Sequence, residues 1–295
     1  MPGNGGSGYG YGGGIYCDSS SSPTIANNTV SGNGVTGQGG TGYSGGGNTY
    51  SGGSGWSYGG GIYCSSSSPA ITNNTIGANN ATGRGGNTGS GNGGNGSSYG
   101  GGIYCSSSSQ TITNNTISGN NAIGNGGSAG SGQGTWAGSG YAYGGGINCL
   151  YSSPTITNNT LSANNTTGNA GSGVHAGESV SSGGGICCDS SSPAVSNSIV
   201  AFNSSGIYNQ GGGTPTLRYN DVYGNTSYDY SGLSPVVDIS VDPLFVNSSG
   251  SDYHLTAPSL CINAGWNAAP GLPPTDKDGR PRIIGPSVDI GAYEY

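Results

Sequence analysis

Apolar residues return along most of this chain at fixed places in a repeated unit of about 20 residues. Each unit begins with Gly-Ile-x-Cys or a close variant. Alternate residues of a strand face the same side, so the Ile and Cys positions share one face and the residue between them points away. The six starts are Gly14–Cys17, Gly61–Cys64, Gly102–Cys105, Gly146–Cys149, Gly185–Cys188 and Gly206–Asn209. The pattern predicts one short strand with an apolar stripe in every unit.

Two more aliphatic positions follow in each unit, five residues apart, as Ile25 and Val30 do in the first. Residues five apart on a straight strand face opposite sides, so both can face a core only if the chain bends between them. An Asn-Asn pair lies at that place, and asparagine tolerates the left-handed backbone conformation that a bend needs. The pattern therefore predicts a second and a third strand separated by an asparagine bend.

Three short strands in about 20 residues make one turn of a solenoid. The composition agrees, because 66 of the 295 residues are glycine and only 6% are charged, too biased for an ordinary globular core. Stacked turns solve this problem, since each turn buries a few apolar residues against its neighbours and pairs their backbones. We predict an all-β protein, a right-handed parallel β-helix of about six coils.

Glycine-rich inserts of 27, 22, 25 and 20 residues separate the first five units. Between Asn203 and Gly206, however, only Ser204 and Ser205 intervene. Because two residues suffice to close a coil, we interpret the inserts as loops that leave from one corner and form a common face, partly in polyglycine II-like extended conformations. The alternative is that each insert makes a complete extra coil, although it lacks the Ile and Asn pattern.

Like residues at equivalent places of stacked coils are expected to form ladders. A side-chain amide can bond to a like amide one coil away, which predicts a ladder along the bend and a second one at the asparagine that closes each unit, starting with Asn33. The predicted bend ladder comprises Asn27, Asn73, Asn114, Asn158 and Asn197.

Cysteines recur at the inward position of the first strand. They are Cys17, Cys64, Cys105, Cys149 and Cys188. On adjacent coils their Cα atoms would lie about 4.8 Å apart, which makes disulfides sterically conceivable. We favour a buried stack of free thiols, the commoner outcome in an apolar stripe. Cys187 falls in the outward position and is the cysteine that we expect to be reactive.

The repeat ends near residue 233, which divides the chain into repeats with glycine-rich inserts (1–233) and a C-terminal segment (234–295). Aliphatic, proline and charged residues return in this segment. Phe245, Leu255, Ile262 and Ile290 would supply enough bulk to cover the last coil and protect its open strand edges. We predict a C-terminal cap.

Motifs in this segment resemble a known family. In chain order they are Val241–Val246, Asp252–Leu255, Ser259–Gly265, Asp276–Arg282 and Val288–Tyr295. Together with the Gly-Ile-Tyr-Cys and Thr-Ile-Thr-Asn-Asn-Thr-Ile-Ser-Gly-Asn repeats, they resemble bacterial right-handed β-helix surface proteins of the choice-of-anchor Q type. The resemblance implies the fold and an extracellular setting but no activity. Family members usually carry a sorting or anchoring signal after this segment, whereas this sequence stops at Tyr295.

Charge argues against two classes of partner. The formal charge is −7, and three of the five basic residues lie in the last 20 positions, so no basic surface is expected for nucleic acid. No run of about 18 apolar residues predicts a membrane span. The chain opens directly into repeat sequence, so we expect a secretion signal to lie outside it.

Catalytic chemistry is poorly represented. The first five coils hold only Asp18, Glu178 and Asp189 as acids, too few for the paired carboxylates of a glycosidase or the calcium site of a lyase. Asp221 and Asp229 remain as one candidate pair near the last coil. We predict no catalytic residue, no metal site and no cofactor. A calcium loop at Asp276–Gly279 is the alternative to a simple turn in the cap.

Three surface features suggest binding or modification. Outward tyrosines such as Tyr63 and Tyr104, with Trp56 and Trp136 in the inserts, could present aromatic faces to carbohydrate, although a tyrosine ladder also stabilises a sheet by stacking alone. Outward threonines resemble the arrays of ice-binding solenoids. Glycosylation sequons in the inserts occur at Asn80, Asn95 and Asn165.

Taken together, the sequence predicts a non-catalytic extracellular or cell-surface structural protein. An open β-helix end exposes unpaired backbone groups, so we expect end-to-end self-association, with fibre formation or adhesion as the role. The alternatives are a carbohydrate-active β-helix, either a polysaccharide lyase or a glycosidase, and a solenoid that binds ice or carbohydrate.

Overall fold

A computed structural model describes residues 3–43 and 47–295, and they form a parallel β-helix of six coils. Each coil adds one strand to three parallel sheets. The first sheet contains Ile15–Cys17, Ile62–Ser65, Ile103–Ser106, Ile147–Leu150, Ile186–Asp189, Ile207–Gln210 and the short strand Tyr230–Ser231. The second contains Thr24–Ala26, Ala70–Thr72, Thr111–Thr113, Thr155–Thr157, Ala194–Ser196 and Thr216–Arg218. The third contains Thr29–Ser31, Thr75–Gly77, Thr116–Ser118, Thr160–Ser162, Ile199–Ala201 and Asp221–Tyr223.

One apolar core runs along the rod. It contains the Ile and Cys positions of the first sheet and the aliphatic positions of the second and third sheets, in register from coil to coil. The predicted faces of all three strands are therefore confirmed. Ile62, Ile71 and Ile76 of one coil, for example, are completely buried.

The bend between the second and third sheets has the predicted left-handed backbone. Asn27 has φ 57°, and Asn73 has the same value. In the sixth coil Tyr219 takes this place with φ 57°. Asparagine favours this conformation, but the register of the stack imposes it on tyrosine as well.

The inserts leave from one corner of the coil and form two further parallel sheets. The outgoing-arm sheet contains Gly34–Gln38, Asn80–Arg84, Asn121–Asn125 and Asn165–Asn169. The return-arm sheet contains Gly8–Tyr11, Gly55–Tyr58, Gly96–Tyr99, Gly140–Tyr143 and Ser179–Ser182. We call the inserts together the blade: residues 3–13, 34–43, 47–60, 80–101, 121–145 and 165–184.

The two arm sheets pack so closely that side chains are excluded between them. A Cβ added to Gly37 would lie 1.8 Å from the carbonyl oxygen of Trp56, and one added to Gly83 would lie 2.0 Å from that of Ser97. Glycine is required here for close approach of two backbones. This explains why the inserts are glycine-rich although they belong to regular strands.

Farther from the core than the arm sheets, glycine residues of the outgoing arms form backbone hydrogen bonds with glycine residues of the return arms, in alternation along the stack. Gly53 N donates to Gly40 O at 2.9 Å, Gly86 N to Gly53 O at 2.8 Å, and Gly94 N to Gly86 O at 2.9 Å. The series continues through Gly127, Gly138 and Gly171. These bonds join the outgoing and return arms of successive coils into one lattice, and the two-residue link Ser204–Ser205 closes a coil without it.

The C-terminal segment begins at the last coil and then runs back along the rod. Ile239 forms a bridge with Asp221, and an antiparallel hairpin of Phe245–Asn247 and Asp252–Leu255, joined by the 3₁₀ turn Ser248–Gly250, follows. Farther on, Trp266 bonds to Asn197 and Lys277 Nζ donates to the carbonyl oxygen of Asn73 at 3.0 Å. The segment therefore covers one side of the rod, along the asparagine bend, in addition to its end.

None of the helices in residues 3–43 and 47–295 is long and apolar enough to cross a membrane.

Candidate functional site

The side chains of the predicted bend ladder do not form a continuous ladder. One amide contact joins them, from Asn197 Nδ2 to Asn158 Oδ1 at 3.4 Å. Asn114 and Asn158 bind the C-terminal segment instead: Asn114 Nδ2 donates to Thr275 O at 2.6 Å, and Asn158 Nδ2 donates to Asp289 O at 3.1 Å and Gly291 O at 3.2 Å. This prediction was wrong about the side chains, because the left-handed bend turns the first asparagine of each pair outward.

The bend ladder is formed instead by the second asparagine of each pair. Its members are Asn28, Asn74, Asn115, Asn159, Ser198 and Asn220, and it ends at Asp238. Each amide is fully used: Asn74 Nδ2 donates to Asn115 Oδ1 at 3.1 Å and to the carbonyl oxygen of Ile25 at 2.8 Å. Both positions of the pair are asparagine in four of the six units, so composition alone did not distinguish them.

The ladder predicted at the closing asparagine is confirmed. It contains Asn33, Asn79, Asn120, Asn164, Asn203 and Asn225, and it ends at Asp229. Buried polar groups are costly unless they are hydrogen-bonded, and these columns satisfy an entire row of them inside the rod. They hold the corners of the coil, which makes the scaffold beneath the blade rigid.

All seven cysteines are buried free thiols in the structure. The five predicted inward cysteines are in register on adjacent coils, as the pairs Cys64–Cys105 and Cys149–Cys188 show. Cys187 is completely buried, which corrects the expectation that it is exposed and reactive. The turn that joins the return arm to the first sheet covers it, since a Cβ added to Gly183 would lie 2.8 Å from Cys187 Cβ. Burial raises the pKa of the Cys187 thiol.

Asp221 and Asp229, the candidate catalytic pair, both act within the scaffold. Asp221 is fully buried, accepts the backbone N–H of Val241 at 3.0 Å and lies 3.3 Å from Cys261 Sγ. Burial raises its pKa to about 7. Asp229 accepts from the Asn225 amide at 2.8 Å. A substrate has no access to Asp221, so this arrangement does not favour hydrolysis.

The candidate calcium loop is already occupied by protein donors. Asp276 accepts the backbone N–H groups of Asp278 at 2.9 Å, Arg280 at 2.8 Å and Glu294 at 2.9 Å. These bonds describe a turn with a carboxylate at its centre. Within residues 3–43 and 47–295, no cluster of three or more His, Cys, Asp or Glu side chains is arranged to hold a metal ion.

A histidine held between two carboxylates was not recognised in the sequence. His254 Nδ1 lies 2.6 Å from Asp252 Oδ1, and its Nε2 lies 2.9 Å from Asp278 Oδ2. The ring also packs on Tyr293, with centroids 4.0 Å apart. Partial burial lowers the pKa of His254, but the hydrogen bonds with Asp278 and Asp252 outweigh it and the pKa is raised overall. This cluster ties the hairpin to the returning segment.

The candidate glycosylation sites all lie on the blade. Asn80 and Asn95 are exposed, and Asn165 is half-buried with its Nδ2 donating to Thr167 Oγ1 at 2.9 Å. Asn80 and Asn165 belong to the outgoing-arm sheet, and Asn95 precedes a strand of the return-arm sheet.

Stacked tyrosines follow the corner between the return-arm sheet and the first sheet. One column contains Tyr11, Tyr58, Tyr99 and Tyr143, and the other contains Tyr16, Tyr63 and Tyr104. Tyr58 and Tyr104 also meet edge to face across the columns, with centroids 5.1 Å apart. The tyrosine rings stack face to face on one another, and Tyr63 and Tyr104 are buried. These columns therefore act mainly as structural ladders.

The threonine array is covered in part, since Thr111 is exposed and Thr155 is half-buried. Thr113 and Thr157 are buried, and Thr157 Oγ1 donates to Pro270 O at 2.6 Å. The C-terminal segment therefore covers part of the face that would have to contact ice.

An aromatic groove remains accessible on the return-arm face of the blade, with a cavity volume of about 350 Å³. It is lined by Trp136, Tyr141, Glu178, Asn92 and Asn95, among others. Trp136 is 55% exposed, in contrast to the buried Tyr63 and Tyr104 of the corner columns. This groove combines aromatic rings with free polar groups, and it is the accessible site that best suits a ligand.

No protein-family model matches the chain, and no curated protein matches it either.

Proposed function

We propose that this chain is a non-catalytic extracellular or cell-surface structural protein that mediates adhesion through its blade. The observation that carries the proposal is the construction of the blade, in which inserts from successive coils are joined into one surface by hydrogen bonds between glycine backbones. Such a surface presents side chains at the fixed spacing of the coils, about 4.8 Å. A rigid array is preorganised, which lowers the entropic cost of binding an extended polymer.

The carboxylates near the last coil support a non-catalytic role. Asp221 is buried, and Asp229 and Asp238 end the two asparagine ladders. Glycoside hydrolysis needs two carboxyl groups on either side of the scissile bond in an accessible site. The extracellular setting rests on the resemblance of the C-terminal motifs to choice-of-anchor Q surface proteins, and it remains a proposal.

Self-association is a second proposal, and the ladders restrict its geometry. At the last coil both ladders end in carboxylates, which only accept hydrogen bonds. Head-to-tail stacking would place these carboxylates against the amide oxygens of Asn28 and Asn33, also acceptors, so the ladders could not continue into a second copy. Association through the blades or through first coils is compatible with the structure. Light scattering over a range of concentrations tests it, and a constant monomer mass would contradict it.

The adhesion proposal is tested by retention of the intact protein on insoluble polysaccharides and on intact bacterial and eukaryotic cell surfaces. We expect retention without the appearance of new reducing ends or unsaturated sugars. Turnover that is lost in Asp221→Asn would overturn the non-catalytic proposal, and absence of retention on every surface would overturn the adhesive one.

A further inference from the structure

The groove on the return-arm face crosses inserts of three successive coils. Asn92 and Asn95 come from one insert, Trp136, Ser139 and Tyr141 from the next, and Glu178 from the third. Trp136 and Tyr141 are the aromatic members, and Asn95, Ser139 and Glu178 are polar. The groove thus exists only because the inserts stack in register.

The aromatic side chains are held in place by neighbours. The Trp136 indole stacks on the His175 ring, with centroids 4.6 Å apart and an interplanar angle of 25°. Tyr141 donates its hydroxyl to Glu178 Oε2 at 3.2 Å. An ordered, exposed indole beside an oriented carboxylate offers an apolar face and a hydrogen-bond acceptor within one groove.

The backbone fixes which polar atoms are left for a ligand. Asn92 Oδ1 accepts the N–H of Trp136 at 2.8 Å, and Asn95 Oδ1 accepts that of Ser139 at 2.9 Å. Each amide therefore has its Nδ2 left to donate. Ser139 Oγ accepts the N–H of Glu178 at 2.9 Å, which leaves its hydroxyl hydrogen available. The groove offers several donors and one carboxylate acceptor.

We propose that this groove binds a neutral saccharide, as a short section of a longer glycan. The inference rests on the proposed adhesive function and specifies its ligand. A sugar ring has an apolar face that can pack on the indole. Its hydroxyl groups both donate and accept hydrogen bonds, so they can pair with the donors and with the carboxylate of the groove. Glu178 would repel the carboxylate of a uronic acid. The volume is near the lower end of ligand pockets, about 300 to 1,000 Å³, so few sugar units fit.

The first test is an NMR titration of the full chain with soluble oligosaccharides. The protein is made in a host without N-glycosylation, because a glycan on Asn95 would occupy the groove. The chain has three tryptophans, Trp56, Trp136 and Trp266, and the Trp136→Phe variant assigns the Trp136 indole N–H signal. We expect neutral glucose or N-acetylglucosamine oligomers to shift this signal and to leave the other two unchanged.

The second test measures affinity in matched variants. Trp136→Ala should weaken binding of the neutral oligosaccharide at least tenfold, and Glu178→Gln should reduce the preference for it over a uronic acid oligomer. Tyr43→Ala is the control, since Tyr43 is a 70% exposed aromatic residue of the same blade outside the groove. The affinity of this variant for the neutral oligosaccharide should equal that of the unmodified protein.

The outcomes separate this inference from the adhesive proposal. Retention on a polysaccharide with shifts confined to the corner tyrosines, or with unchanged affinity in Trp136→Ala, overturns the groove assignment and leaves adhesion standing. Retention that is strongest for uronic acid polymers overturns the neutral ligand. Absence of retention on any surface overturns adhesion itself.

Discussion

Asp229 accepts both the backbone N–H of Asn225 at 3.1 Å and its side-chain amide at 2.8 Å. Asn225 is the last asparagine of the closing ladder, and every earlier member donates in the same way to the amide oxygen of the next coil. A column of amides that all point in one direction needs a final acceptor. Asp229 supplies it here, and Asp238 does the same for Asn220 in the bend ladder.

Removal of the final acceptor should therefore destabilise the last coil. In Asp229→Leu the backbone N–H of Asn225 loses its acceptor and Nδ2 keeps only the carbonyl oxygen of Val200, and a buried group left unpaired costs about 1 to 3 kcal/mol. Asp229→Asn retains an acceptor oxygen and should lose much less. Hydrogen exchange of amides in the last coil measures the difference, and equal protection in both variants would contradict the role of Asp229 as the ladder's end.

The blade should be sensitive to one methyl group at selected glycines. Gly37→Ala places a Cβ 1.8 Å from a backbone oxygen, whereas Gly34→Ala, in the same strand, meets nothing closer than 4.0 Å. Overpacking of this kind costs at least about 1 to 3 kcal/mol, and here the obstacle is backbone that cannot rotate away. We expect a lower melting temperature and faster exchange of blade amides in Gly37→Ala only. Similar behaviour of the two variants would argue against the tight arm packing.

The repeat and its three strand faces follow from the sequence because alternation determines which residues enter a narrow core. The choice between Asn27 and Asn28 could not be made in this way, because a left-handed residue breaks the alternation and the outcome depends on the bend. The path of the C-terminal segment was also missed, since its apolar residues indicate burial but not the surface they cover. The groove at Trp136 depends on contacts between inserts that share no repeat motif.

The buried carboxyl of Asp221 should make stability fall as pH rises. Its folded pKa, about 7, lies above the ordinary value of 3.8, so the folded state keeps a proton that the unfolded state releases. The contribution of this group to the free energy of unfolding is complete below about pH 4. It declines between pH 4 and pH 7, by at most about 4 kcal/mol. Glu294, whose pKa burial also raises to about 7, contributes in the same direction. Urea unfolding at pH 5 and 7.5 should show a smaller decline in Asp221→Asn, and an unchanged decline would contradict this account.

Cys17 should be the first thiol to react. It lies in the first coil with 4% exposure, whereas the other six cysteines are completely buried. The interaction with Cys64 lowers the pKa of Cys17 below that of an ordinary thiol, which favours the reactive thiolate. Alkylation of the native protein followed by peptide mass spectrometry should show Cys17 modified early and Cys187 only at the rate of unfolding. Rapid modification of Cys187 would contradict its burial beneath the turn at Gly183.

The His254 cluster should loosen the returning segment as the solution becomes alkaline. Because the folded pKa lies above the ordinary 6.5, the contribution to stability is complete below that value and is lost as pH rises through the folded pKa. Asp278→Asn removes the partner that bridges to the returning segment, whereas Asp252→Asn removes only the partner on the hairpin's own strand. Both variants should lower the pKa of His254 in an NMR titration. Only Asp278→Asn should also increase hydrogen exchange around Asp276–Arg280 below pH 6.5, and equal exchange in the two variants would show that the cluster does not hold the segment.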